Sequence, residues 1–253
     1  MNSKLNITLI IGSAPDALMV KEHDLSIFSS RVVINNAWQL TKDWNYLIFP
    51  EDFSSERLPP ASIINNKKLI TAHEFIPEQN FFGGIVYGGG TMAFTAGYWA
   101  LGALKPDVIA YLGCDMIYED KDGDQSHFYG NGKADPLRSD ITLQSLEAKS
   151  VRLMAFAQLN NCTIVNLSNL PKSRLLFPRT TMKQILEMLD QKNSMYVDHA
   201  KLNFKSVKRA LNLEEQLAYT VPSGRYWEHL NNFDSHKLSE IDSLWLNSVC
   251  KLN

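Results

Sequence analysis

The sequence predicts an α/β fold: a mostly parallel sheet with helices on both faces, followed by a helical C-terminal region. Three observations carry this. Short runs rich in β-branched residues recur along the chain and stretches of helical period separate them, the pattern of strand–helix–strand units. The first run, Ile7–Ile11, is continuous rather than alternating, as a strand buried on both faces requires. Beyond Arg179 no strong strand signal remains, and only helical spacing continues. Residues 1–179 therefore read as an α/β domain and residues 180–253 as a helical region.

Taken in order, the Ile7–Ile11 strand breaks at Gly12-Ser13-Ala14-Pro15, and a short helical stretch follows from Asp16. A second strand at Val32–Ile34 ends in Asn35-Asn36. A third, Tyr46–Phe49, is closed by Pro50-Glu51-Asp52. Lys68–Thr71 is another, and Gly84–Tyr87 reads as one more. Gly88-Gly89-Gly90-Thr91 then opens a helix running to about Leu104, with Thr91 at the N-cap position. Val108–Leu112 is the clearest strand and ends at Gly113-Cys114-Asp115. From Glu119 to Ser139 the chain is polar and rich in Asp and Gly and reads as a long loop, of a length that is uncommon and often functional. A long helix over Ile141–Asn160 and a strand at Thr163–Val165 complete the domain. In the C-terminal region Met182, Ile185, Leu186 and Leu189 recur at helical spacing, as do Phe204, Val207 and Leu211, and Leu238, Ile241 and Trp245.

Composition narrows the function classes. The 253 residues are 45% hydrophobic and 21% charged, which excludes a disordered chain and a collagen-like one. A formal charge of −2 argues against a dedicated nucleic-acid binder, which carries a strong basic excess. The three cysteines, Cys114, Cys162 and Cys250, are far apart and form no C-x-x-C pair, which fits a reducing cytoplasm better than a disulfide framework or a zinc site. The opening apolar run is short and ends in Gly and Pro, so it reads as a strand rather than a signal peptide. No apolar stretch approaches the ~20 residues of a membrane span.

In open parallel sheets ligands bind beyond the carboxyl ends of the strands. Four polar or Gly-rich clusters fall at such ends: Gly12-Ser13, Asn35-Asn36, Gly89-Gly90-Thr91 and Asp115. Each alone reads as an ordinary turn, but the fold would gather them on one edge. Backbone N–H groups at Gly12-Ser13 and at the helix start near Thr91 suit an anion such as phosphate. Asn35 and Asn36 suit a base or a ribose. Neither the Walker A pattern nor G-x-G-x-x-G is present. In the long loop, Asp120, Asp122 and Asp124 fail as a calcium loop, because the Gly stands in the wrong place and the closing Glu is missing. Asp122-Gly123-Asp124 reads either as a solvated acidic turn or as the D-x-D of a metal-dependent glycosyltransferase. His127, beside the expected site, titrates near pH ~6.5 when unperturbed and can accept a proton from a hydroxyl at neutral pH. The other histidines, His23, His73, His199, His229 and His236, stand in less telling contexts.

Together these residues resemble glycosyltransferase family 42, bacterial sialyltransferases acting on lipooligosaccharide. The resemblance rests on Gly12-Ser13-Ala14-Pro15 after a strand, Asn35, the Gly-rich helix start, Gly113 to Tyr118, Ser126 to Tyr129, Asn166-Leu167-Ser168 and Pro171 to Leu175. It spans roughly Ile7 to Arg179. It implies a nucleotide-binding α/β domain of GT-A-variant type, a CMP-sugar donor, a glycan or glycolipid acceptor, a histidine general base and no metal or other cofactor. Carried over, His127 is the base and Tyr118 a partner of the leaving phosphate. Gly12, Ser13 and Ala14 lie against the phosphate and ribose, Asn35 or Asn36 contacts the nucleotide, and Gly90 and Thr91 flank the donor. Asp115 binds near the cytidine or ribose, and Tyr129 belongs to the same substrate site. Three departures stand out: Gly-Ser-Ala-Pro replaces the family's Gly-Asn-Gly-Pro, Tyr118 lies one residue later than the pattern, and Gly90 replaces a serine. They leave the donor sugar open between sialic acid, Kdo and others. Two alternatives remain: a metal-dependent phosphotransferase similar to pterin diphosphokinases, and a nucleotide-binding module without turnover.

Lys201, Lys205, Lys208 and Arg209 fall on one helical face, with Phe204, Val207 and Leu211 on another. Such a helix reads either as a solvated face packed by its apolar side or as a peripheral contact with an anionic inner-membrane surface. The stripe at Leu238–Trp245 reads as core or as a contact between subunits.

Overall fold

The computed structural model describes residues 5–117, 127–129, 140–190 and 201–249. Six strands form a sheet: β1 (Ile7–Ile11), β2 (Ser30–Ile34), β3 (Tyr46–Ile48), β4 (Lys68–Ile70), β5 (Val108–Leu112) and β6 (Thr163–Asn166). Their order is β4-β3-β2-β1-β5-β6 and every pairing is parallel. The helices are α1 (Ala61–Ile64), α2 (Ala72–Phe81), α3 (Ile85–Gly88), α4 (Met92–Trp99), α5 (Leu146–Leu159), α6 (Met182–Asp190), α7 (Phe204–Leu217) and α8 (Ser235–Leu246). The α/β reading of the sequence therefore holds.

Every residue of β1 and β5 is buried, the signature of strands covered on both faces. The pleat divides them between two cores. Ile10, Val32, Ile34, Ile109 and Tyr111 pack on one face with residues of α2 to α5, α7 and α8. Leu9, Ile11, Val33, Ala110 and Leu112 pack on the other with Ala17, Phe28, Trp44 and α6 residues Met182, Ile185 and Met188. Each fully buried Ile or Leu contributes about 1.5–3 kcal/mol, so these two clusters supply the main drive for folding.

Three sequence expectations need correction. Gly84–Tyr87 is not a strand. Gly83 and Gly84 take φ of 94° and 90°, the chain turns there, and Ile85–Gly88 forms one buried helical turn. A buried apolar run of four residues has no period long enough to separate the two outcomes. The helix opened by Thr91 does run to Leu104 as expected, α-helical to Trp99 and π-helical over Ala100–Leu104. The helix expected from Ile141 begins as a 3₁₀ turn over Ile141–Leu143, and Ser145, accepting from the Ala148 N–H, starts α5 afresh. Lys201 lies ahead of α7, which Asn203 caps through the N–H groups of Lys205 and Ser206. Phe204 is 47% exposed, because it opens the helix beyond the stripe formed by buried Val207, Ala210 and Glu214. Lys205, Lys208 and Arg209 face outward.

The C-terminal helices share the core of the sheet domain. Val207, Leu238, Ile241 and Trp245 belong to the cluster around Tyr111 and Ile109, and Trp245 is fully buried. Two ion pairs fasten them to α5. Lys149 Nζ donates to Asp242 Oδ1 at 2.7 Å, and the Arg152 guanidinium binds Glu214 through two bonds of 2.9 and 2.8 Å. Among the described residues no helix is long and apolar enough to cross a membrane.

Candidate functional site at the strand switch point

Between β1 and β5 the strand order reverses direction: β2, β3 and β4 lie on one side, β6 on the other. The chain leaves the two neighbouring strands to opposite sides, and the crevice opened beyond their carboxyl ends is where such sheets bind ligands. Two loops form it. After β1 come Gly12, Ser13, Ala14 and a 3₁₀ helix over Pro15–Glu22; after β5 come Gly113, Cys114, Asp115 and Met116. Gly12 N donates to Leu112 O at 2.8 Å and Ala14 N to Gly113 O at 2.9 Å, so the loops are clamped together. A Cβ at Gly12 would collide with the Gly113 carbonyl and with Cys114 Sγ. Gly12→Ala is therefore expected to cost about 1–3 kcal/mol by overpacking, read as a lower urea midpoint; an unchanged midpoint would contradict the clamp.

The clamp changes what these glycines do. The N–H groups of Gly12 and Ala14 are spent on strand-to-strand bonds. Of the anion-binding groups expected in this loop, Ser13 is the one that remains. Its carbonyl accepts from Phe128 N at 3.0 Å, and this bond sets His127, Phe128 and Tyr129 on the switch point. His127 is 7% exposed, and its ring lies 5.0 Å from that of Tyr129, which is 42% exposed. Burial lowers the His127 imidazole below its ordinary 6.5, so the ring is neutral at pH 7.

Asp115 is fully buried. Its Oδ1 accepts from Asn166 Nδ2 at 3.2 Å, and the same amide donates to Ser173 Oγ at 3.1 Å. Asn166 Oδ1 in turn accepts from Ser168 N at 3.0 Å, so the end of β6 holds the Asp115 carboxylate in place. Asp115 Oδ2 is buried without a hydrogen-bond partner. Met116, with φ of 54°, then turns the chain so that its Sδ accepts from Thr91 Oγ1 at 3.7 Å. Thr91 thus meets the Asp115 loop while capping α4 through the Ala93 N–H. Gly90 faces elsewhere: its N–H donates to Thr142 Oγ1 at 3.1 Å, and the Tyr226 hydroxyl fills the space where a side chain would stand. Asn35 and Asn36 are distinguished by backbone. Asn35 takes φ of 51° at the end of β2 and its amide oxygen is buried without a partner; neither holds for Asn36. Tyr118 and Asp122-Gly123-Asp124 lie outside the described residues.

Sequence reasoning missed Asp16. It follows the Gly-Ser-Ala-Pro loop in the first turn of the 3₁₀ helix, where an acidic residue passes for an ordinary helix-start charge. Both its carboxylate oxygens are buried. Ser168 and the Asn169 N–H approach it, but neither completes a well-formed hydrogen bond. Burial, and less strongly the Asp115 carboxylate, raises the Asp16 carboxyl above its ordinary 3.8. Burial also raises the Cys114 thiol, with Asp115 and Asp16 adding to it, so this cysteine is an inert thiol beside two carboxyls.

The sign of the Asp16 effect gives a test. A carboxyl raised in the folded state contributes stability that is complete below pH ~3.8 and is lost as pH rises through its folded value. Asp16→Asn is therefore expected to raise the melting midpoint at about pH 7 and to leave it unchanged near pH 3.5. A stabilisation that shrinks with rising pH would contradict the placement.

An open groove of about 640 Å³ adjoins this edge, lined by Ile117, Lys172, Ser173, Arg174 and Arg179 among others. Another, of about 590 Å³, lies between Leu217 and Phe233 and meets none of the residues above. Comparison with protein-family models, with curated proteins and with solved structures returned no match.

Proposed function

We propose that the chain is a glycosyltransferase resembling bacterial sialyltransferases, moving a sugar from a CMP-activated donor to a glycan acceptor. One observation carries this reading above the others: the backbone bond from Phe128 to Ser13 holds a buried, neutral imidazole at the switch point of a parallel sheet. In the reaction the acceptor oxygen bonds to the anomeric carbon as that carbon's bond to the phosphate oxygen breaks. CMP leaves with the electron pair, and the acceptor proton passes to His127. In this reading Ser13 stands where the phosphate's charge grows, whereas at the start of α4 the N–H groups of Ala93, Phe94 and Thr95 already donate to Thr91. The groove beside Asp115 would take the acceptor, with Lys172 and Arg174 on its wall.

The test is release of CMP from a CMP-sugar, with and without glycan acceptor, in the presence of a chelator. Acceptor-stimulated release supports the reading; no release from any CMP-sugar rejects it. The rate should fall on the acid side with an apparent pKa below 6.5, because burial depresses His127. An acid limb above 6.5 would point to a different base. A cation-dependent phosphotransferase is favoured by one observation, the neighbouring Asp16 and Asp115 carboxyls, and a strict magnesium requirement would select it.

A further inference from the structure

We infer that the surface around Val249 is an interface for an anionic lipid bilayer, and that it turns the groove beside Asp115 toward that bilayer. Binding there requires no particular chemistry in the crevice. The surface forms where the residues opening α7 meet those that follow α8. Leu202 and Val249 pair as an antiparallel bridge, and Asn203 N donates to Ser248 O at 2.7 Å. Val249 also lines the groove, with Leu176, Lys172, Arg174 and Arg179. The groove and the start of α7 therefore share one stretch of surface.

That surface is basic. Lys201, Lys205, Lys208 and Arg209 are exposed, and among the described residues none of these four side chains has an ion-pair partner. Lys205 stands one helical turn from both Lys208 and Arg209, so like charges repel along the exposed face. No acid stands in the first turn of α7, and its outward face carries none before Glu215. Cations at the start of a helix also oppose its dipole, and a negatively charged surface relieves both strains. In the groove Glu147, the one acid of the wall, is paired with Arg174 at 3.1 Å, and Lys172 and Arg179 add further positive charge.

Apolar side chains among these cations decide which anionic partner fits. Phe204, Leu246 and Leu176 are all exposed. Phe204 lies one turn from Lys208, Leu246 stands three residues before Val249, and Leu176 is on the groove wall. A hydrated polyanion offers such side chains nothing. At a bilayer they enter the boundary between headgroups and acyl chains, while the long cationic side chains reach the lipid phosphates. The whole chain carries a charge of −2, so attraction to an anionic surface is local to this face and fixes the orientation in which the chain lands.

Co-flotation with lipid vesicles tests this. The wild-type chain is expected to float with vesicles of equal parts phosphatidylglycerol and phosphatidylcholine, and to stay behind with phosphatidylcholine alone. Each cation at such a surface strengthens binding roughly fivefold, so the double variant Lys205→Gln, Lys208→Gln should bind about 20-fold more weakly or worse. The double variant Lys183→Gln, Lys237→Gln removes the same charge from α6 and from the far end of α8, and should float as wild type does. Phe204→Ser should weaken flotation several-fold with the melting point retained, because the ring is already exposed. Equal flotation with both kinds of vesicle, equal flotation of the two double variants, or no flotation of the wild type overturns the interface. Preference for soluble dextran sulfate over the vesicles, unaffected by Phe204→Ser, overturns it in favour of an acidic macromolecule. No arm depends on release of CMP, so the proposed reaction can fail while the interface stands, and the reverse.

Discussion

Arg152→Ala is expected to destabilise the protein by about 3–5 kcal/mol, the usual cost of removing one partner of a buried ion pair. Arg152 is 1% exposed and every part of its guanidinium is engaged. Nε and Nη2 donate to Glu214, Nη1 to the Tyr98 hydroxyl at 2.7 Å and Nη2 to Phe82 O at 2.7 Å. The guanidinium also stands 4.6 Å from the ring centroid of Phe156. Glu214 is 5% exposed and accepts from Trp245 Nε1 at 2.8 Å as well. Truncation therefore strands a buried carboxylate, a carbonyl and a phenol, and opens a cavity between α5 and the C-terminal helices. The urea midpoint at constant m-value reads the effect. Arg152→Lys should recover only part of it, because an ammonium cannot reproduce the two-pronged contact with Glu214. A loss under about 1 kcal/mol for the alanine variant would mean that the pair is dispensable.

The second large effect is on turnover. His127→Ala should reduce sugar transfer about 10²- to 10⁴-fold, the range a positioned general base contributes, while nucleotide affinity stays within a few-fold of wild type. The two readouts separate base from scaffold. The Phe128 to Ser13 bond is made by backbone and survives the substitution. Transfer undiminished in the variant would remove His127 from the mechanism. Equal loss of binding and transfer would make it a structural residue of the loop.

The strands were legible because burial on both faces leaves a mark in composition. Ile7–Ile11 and Val108–Leu112 have strand bounds in the structure identical to those read from the sequence. Gly84–Tyr87 was misread because its apolar run is the same in a buried helical turn, and the glycines on either side decide the matter through backbone angles. At the site, Asp115, Thr91, Ser13 and His127 could be listed from strand ends and loop composition. Their grouping depends on strand order, which residue periodicity does not encode. Asp16 was passed over because its signal is tertiary: nothing in Pro15-Asp16-Ala17 says that Asp115 and Ser168 will stand across from it. The same is true of Lys149 and Arg152, two cations on α5 whose partners Asp242 and Glu214 lie on helices far along the chain. A helical stripe shows which face is apolar, but not that a charge within it has a buried partner.

The proposed CMP-sugar site at the switch point requires no metal ion. Thermal unfolding of the wild-type protein with CMP, UDP, GDP or ADP, each with magnesium and with a chelator, tests it most directly. Saturation to about 100 times the dissociation constant stabilises the native state by about 2.7 kcal/mol, which for a chain of this size is a rise of roughly 5–10 °C. The proposed site gives that rise with CMP, unchanged by chelator. A rise with UDP alone and only with magnesium, or no rise with any of the four, would contradict it.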